Sequence, residues 1–154
     1  DPEEGGGRIV GEVCHFVDFA RFVANAPLEG VSASTADEGA GLPQNVQVTL
    51  SFEDGSTAGI TYTTFGDSSL AKEYAEAFGN GKAATVDNFK SGALSLGQEK
   101  GHEAEFDAFV DAILSGEPSP LPLEQVVEVT EATFAVNEAI RSGDGVAVEP
   151  ERYL

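Results

Sequence analysis

VQVTLSFEDGSTAGITYTTF, residues 46–65, is the stretch that decides how this chain folds. Apolar and polar residues alternate from Val46 to Leu50, and Phe52 continues the alternation. Successive strand side chains point to opposite faces, so such a run buries one face of a sheet and leaves the other to water. Glu53-Asp54-Gly55 supplies a turn, and Thr57 to Phe65 is rich in β-branched and aromatic residues. The stretch therefore predicts two strands of a meander with a single apolar face.

The same period extends outward in both directions. Upstream, Val31-Ser32-Ala33-Ser34-Thr35 alternates, and the loop Gly39–Pro43 separates it from the strand at Val46. Downstream, Lys72 to Phe78 interleaves charged residues with Tyr74 and Phe78 and ends in the turn signal Gly79-Asn80-Gly81. That predicts a strand, with a hairpin partner from Lys82 to Phe89 and a further short strand from Ala93 to Leu96. The expected sheet has five or six strands, mostly antiparallel.

Helical spacing occupies both ends of the chain. From Arg8 or Ile9 to about Asn25, Val10, Val13, Val17, Ala20 and Val23 recur on one side, with Phe16, Phe19 and Phe22 broadening it, until Pro27 blocks continuation. A second stripe runs from His102 to Leu114 through Phe106, Phe109, Val110 and Ile113, and ends at Gly116. A third, Leu123 to Ile140, carries Val126, Val127, Val129, Phe134 and Val136, opens after Pro122 and closes at Gly143. Amphipathic helices must bury their stripes, and one face of the meander is the available surface. The expectation is an α+β, two-layer fold: an open sheet with helices packed on one face. Residues 1–8, opening DPEEGGG, read as a flexible acidic lead-in, and 9–154 as a single domain.

Eight basic residues against 27 acidic ones give a net charge of -19, which repels phosphate backbones and anionic lipid surfaces. Nucleic acid and membrane partners are thereby excluded. One cysteine excludes an internal disulfide, no run approaches the roughly 20 apolar residues of a membrane span, and the acidic start lacks the pattern of a signal peptide. A soluble cytoplasmic protein is expected. With no methionine and Asp1 in first place, the chain is expected to be a processed or excised piece.

Most chemical motifs fail on spacing. Gly79-Asn80-Gly81-Lys82 lacks the third glycine of a dinucleotide fingerprint, and a phosphate loop needs a glycine where Glu76 stands. Two histidines and one cysteine are too few for a structural zinc cluster, so no metal is expected. Cys14 and His15 are adjacent and point about 100° apart on a helix, which leaves Cys14 as small core filler.

Two histidines invite a chemical reading. In GEVCHFVDFARFV, residues 11–23, Glu12, His15 and Asp18 are spaced by three, which places consecutive members on one helical flank where an acid can orient the imidazole. The alternative is a surface histidine between solvated acids, with Asp18 paired to Arg21. His102 follows Gln98-Glu99-Lys100-Gly101 at a helix start, either as a grip for an anion or hydroxyl or as an incidental polar terminus.

With these residues in view, the chain resembles the C-terminal domain of the Gfo/Idh/MocA oxidoreductases, the family of glucose-fructose oxidoreductase and inositol dehydrogenase. Gly5-Gly-Gly-Arg-Ile-Val-Gly-Glu-Val-Cys-His15-Phe-Val-Asp18 is similar to the family's glycine-led helix ending in His-x-x-Asp. Phe52 to Ser56, Lys72-Glu73 to Phe78-Gly79, Asp87 to Lys90 and Lys100-Gly-His102 follow in the family's order. The resemblance implies an N-terminal Rossmann domain, outside this chain, that binds NAD or NADP and carries the family's catalytic lysine. It implies that this chain shapes the pocket for a sugar or polyol and holds no cofactor alone. His15 would be the acid/base, with Glu12, Lys100 and His102 on the substrate. Many members carry an Asp four residues before the histidine; here Gly11 stands there, with Glu12 beside it. A homo-oligomer formed through the open sheet face is expected as well. The rival reading is a noncatalytic acidic binding or scaffold module of the same fold.

Overall fold

Residues 6–39, 41–67, 69, 72–88 and 101–153 are described by the computed structural model of the chain. In chain order its elements are a π-helical turn Ile9–Val13, α1 (Cys14–Ala24), β1 (Leu28–Thr35), β2 (Val46–Phe52), β3 (Thr57–Tyr62), β4 (Tyr74–Gly79), β5 (Lys82–Asp87), α2 (His102–Ser115), α3 (Leu123–Ser142), β6 (Val146–Ala147) and a 3-10 turn Pro150–Arg152. They divide into two compact units, Asp1–Phe65 with Leu123–Leu154, and Gly66–Pro122. The fold is α+β with open antiparallel sheets.

In the first unit the strands lie in the order β3-β2-β1-β6. Register places Val31 opposite Leu50 and Val48 opposite Ile60, so the alternation read from the sequence becomes one apolar layer. Val31, Val46, Val48, Leu50, Phe52 and Ile60 are buried while Gln47 and Thr49 are exposed. The Glu53-Asp54-Gly55 turn forms as read: Gly55 has φ +83°, and the Ser56 amide donates to Asp54 Oδ1 at 2.9 Å. The two-residue strand β6 has no sequence signature. It reaches β1 beside Gly30, where a Cβ would come within 3.3 Å of the Val146 carbonyl oxygen.

The first helix enters through the π-helical turn. Ile9, Val13 and Val17 repeat every four residues and are all buried. Ile9 rather than Val10 takes the inner position, and Val23, expected in the stripe, is 46% exposed. Phe16 sets its ring 6.5 Å from that of Tyr62 on β3. Asn25 closes the helix in the left-handed conformation at φ 51°, its amide donating to the Arg21 carbonyl at 3.0 Å, two residues before Pro27.

α3 packs on β1 through small side chains: Ala132, Ala135 and Ala139 are buried with Val129 and Val136. Phe134, expected in the stripe, is 51% exposed. The face also contains two carboxylates. Glu128, 6% exposed, accepts the Leu28 amide and receives Arg21 Nε at 3.0 and 3.2 Å on its two oxygens. Glu131 is buried one turn on, and its Oε2 has no hydrogen-bond partner among the described residues.

In the second unit β4 and β5 form a separate two-stranded sheet, turned through Asn80 and Gly81 at φ 50° and 71°, the geometry an Asn-Gly hairpin favours. The strand expected at Ala93–Leu96 lies outside the described residues. α2 contains no buried residue, and its Leu114 is 79% exposed. An amphipathic pattern marks a face that can be covered and does not identify its cover.

Removing one partner of a buried ion pair leaves the other charge desolvated, a loss of about 3–5 kcal/mol. Chemical denaturation of Glu128→Ala is expected to show a loss of about that size, and Glu128→Gln, which still accepts the Leu28 amide, a smaller one. A loss for Glu128→Ala below about 1 kcal/mol, the value of an exposed pair, would contradict this assignment.

Candidate functional site

Because Ile9, Val13 and Val17 take the inner side, the opposite side of the helix is fixed as well. His15 is two residues from both Val13 and Val17, a rotation of about 200°, and it emerges exposed on the far flank. Among the described residues no side chain is hydrogen-bonded to its imidazole. Gly11, four residues earlier, is exposed and contributes no side chain to this flank.

Glu12 lies on the π-helical turn, half-buried. Its Oε1 accepts a hydrogen bond from Arg8 Nη1 at 3.3 Å, an i,i+4 ion pair. Arg8 reaches in a second direction too, donating from Nε to Gln44 Oε1 at 3.4 Å. Arg21, the partner sequence reasoning offered to Asp18, gives its Nε to Glu128.

Gln44 stands at the end of a loop built on one carboxylate. Asp37 accepts the Asn45 amide at 2.8 Å, the Asn45 side-chain nitrogen at 2.6 Å and the Gln44 amide at 2.5 Å. Asn45 is buried, and its Oδ1 receives the Thr64 amide at 2.7 Å and the Thr63 hydroxyl at 3.0 Å. The loop thus hangs between β1 and the end of β3. At its tip Leu42 packs on Gly7, where φ is +80° and a Cβ would come within 2.9 Å of Leu42 Cδ1. Sequence reasoning missed Arg8, Asp37, Gln44 and Asn45; only the Arg8–Glu12 spacing is a readable signal.

Cys14 is half-buried, and burial pushes its thiol above the ordinary value, with the charges of Glu12 and Asp18 adding to the rise. Of the other expected residues, His102 begins α2 in the second unit and is exposed, and Lys100 lies outside the described residues. The structure places Glu12 and His15 on one continuous helical segment.

Gly79-Asn80-Gly81 joins two antiparallel strands, whereas a pyrophosphate site needs a glycine turn between a strand and a helix. Among the described residues no group of three His, Cys, Asp or Glu could hold a metal ion, and no helix is long and apolar enough to cross a membrane.

The GFO/IDH/MocA C-terminal domain family matches residues 1–87. Among solved structures the chain is similar to a myo-inositol dehydrogenase from Corynebacterium glutamicum at 22% identity and a TM-score of 0.77, covering 96% of this chain and 51% of that one. It is similar to myo-inositol 2-dehydrogenase from Lactobacillus plantarum at 14% identity and 0.74, covering 95% and 50%. It is also similar to GenD2 from gentamicin A biosynthesis, solved in complex with NAD, at 20% identity and 0.73, covering 93% and 48%. At these identities the likeness is one of fold. The chain spans about half the length of the solved structures it matches. No curated protein sequence matches it.

Hydrogen bonds from Asn45 and Gln44 hold the Asp37 carboxyl below the ordinary carboxylate range. Its stabilisation is therefore complete above the ordinary carboxylate pKa, near 3.9, and is lost as the pH falls through the lowered folded-state value. Hydrogen exchange at the Gln44 and Asn45 amides is expected to stay slow down to about pH 4 and to lose protection below it, while Asp37→Asn loses protection at neutral pH and shows no acid step. Equal protection in Asp37→Asn and the parent at neutral pH would contradict the bracing role.

Proposed function

This chain belongs to the GFO/IDH/MocA C-terminal domain family, and from that premise we propose that it is the substrate-binding half of an NAD(P)-dependent sugar or polyol dehydrogenase. The observation that carries this reading is His15, exposed and unencumbered on the outer flank of α1, within the matched residues. Solved structures of similar fold include inositol dehydrogenases and a protein in complex with NAD, and their doubled length supports a nucleotide-binding domain beyond this chain.

Oxidising a secondary alcohol removes a hydride from carbon and a proton from oxygen. That domain's NAD or NADP would supply the hydride-accepting chemistry. This chain handles the proton: a neutral imidazole nitrogen of His15 accepts it from the substrate hydroxyl, and in reduction the imidazolium returns it. Histidine suits the task because its ordinary titration falls near neutrality. Glu12 accepts a neighbouring hydroxyl of the substrate. Lys100 and His102 are assigned to further hydroxyls on the resemblance alone. On this reading the hydride acceptor binds in that other domain, and the chain by itself turns over nothing.

The reading includes a cytoplasmic location and pairing with a second copy through the outer face of the sheet. Ser32, Ser34, Gln47, Thr49, Ser51 and Thr61 point to that face. None carries charge, in a chain of net charge -19. Depletion of charge at the centre of a patch is a mark of protein interfaces.

In the full-length protein His15→Ala is expected to lower kcat for polyol oxidation about 10²- to 10⁴-fold, the range for loss of one general base, with substrate binding largely kept. Hydride transfer undiminished by this substitution would remove His15 from the mechanism.

A further inference from the structure

Arg8 lies outside the chemistry described so far, yet it is held on two sides. An exposed i,i+4 ion pair contributes little to stability, and by itself Arg8 with Glu12 would be a surface ornament. Its second contact runs to Gln44, 36 residues away in sequence. The loop that presents Gln44 is fixed through Asp37 and Asn45, and its Leu42 rests on Gly7, the residue next to Arg8. Loop and helix start therefore meet where the guanidinium spans them. Basic residues number 8 in this chain against 27 acids, so few acids can have a cation of their own.

Ordering a long side chain between two partners costs rotamer entropy that an exposed pair barely offsets. Such an arrangement is explained by what it does to Glu12. Arg8 takes Oε1, which holds the carboxylate from one side and leaves Oε2 as an acceptor, three residues before His15 on the same helical segment. Gly11, four residues before His15, is exposed and adds no side chain beside the imidazole.

We infer that Arg8 is a positioning residue: anchored by Gln44 in the loop braced by Asp37, it holds Glu12 to accept a substrate hydroxyl next to the one that His15 deprotonates. The inference rests on the dehydrogenase reading above and extends it to a residue that does not touch substrate. It makes the loop between β1 and β2 a determinant of polyol recognition.

The test uses the full-length protein with a panel of inositols and aldohexoses and NAD or NADP. For whichever substrate is turned over, Arg8→Ala is expected to raise KM about three- to fivefold and change kcat less than about twofold, the pattern of lost uniform binding through one exposed contact. Arg8→Lys is expected to recover part of the loss, and Gln44→Ala to move KM in the same direction. Arg8→Ala combined with Glu12→Gln is expected to be no worse than the poorer single variant, because both act through the same carboxylate. An unchanged KM in Arg8→Ala, with His15→Ala inactive, overturns this inference and leaves the dehydrogenase reading intact; full turnover in His15→Ala sinks the reading instead. A measurement independent of turnover decides the positioning in either case. The Arg8 Nε–H resonance is expected to shift in both Glu12→Gln and Gln44→Ala, and a resonance unmoved by both overturns the inference.

Discussion

One buried carboxylate ties together parts of the chain that the sequence keeps far apart. Glu128, on α3, accepts the amide of Leu28 at the start of β1 and both binds and neutralises Arg21 on α1, 107 residues away. A buried ion pair adds little net stability, since desolvating both charges offsets their attraction. With Glu128 in place, a roll of α1 or a slide of α3 that parts the pair strands a charge in the core, and each stranded charge costs several kcal/mol. The alanines around it allow α3 to sit close on β1, so the carboxylate reaches the strand's backbone.

Everything attributed to His15 follows from that fixed roll. Once Val13 and Val17 are committed to the core, the imidazole has only the outer flank to occupy. The π-helical turn lies just upstream, with Ile9 buried, Arg8 and Gly11 exposed and Glu12 half-buried. Extra residues of this kind are kept in helices chiefly where they re-aim a side chain, because they weaken the ladder they interrupt. The loop on Asp37 supports the same region from the outside. Rigid sheet, fixed helix and braced loop together present a small polar surface on a strongly acidic chain.

The sheet was legible because its signals are local. Val46 to Tyr62 alternates over two strands around a turn whose residues can do little else, and Asn80-Gly81 specifies the geometry found there. The helices were legible in place but not in phase. Reading large apolar residues as the core put Val126 and Phe134 inside α3, where the structure puts Ala132, Ala135 and Glu128. Hydrophobicity ranks residues by what they gain from burial, while a helix lying tightly on a strand selects for small size, and a buried acid is selected by a partner no window of sequence contains. The π-helical turn left no trace in the pattern either, and neither did β6, which is two residues long. Of the candidate site, His15 and Glu12 are proposed from spacing and resemblance, whereas Gln44 and Asp37 act through contacts the chain makes only when folded.

The account turns on the imidazole of His15 meeting a substrate hydroxyl. A crystal structure of the full-length protein soaked with NAD and the polyol it oxidises measures this directly. The account predicts a ring nitrogen of His15 within about 3 Å of a hydroxyl oxygen on the carbon that faces the nicotinamide. A polyol bound elsewhere, with His15 facing solvent, would contradict it.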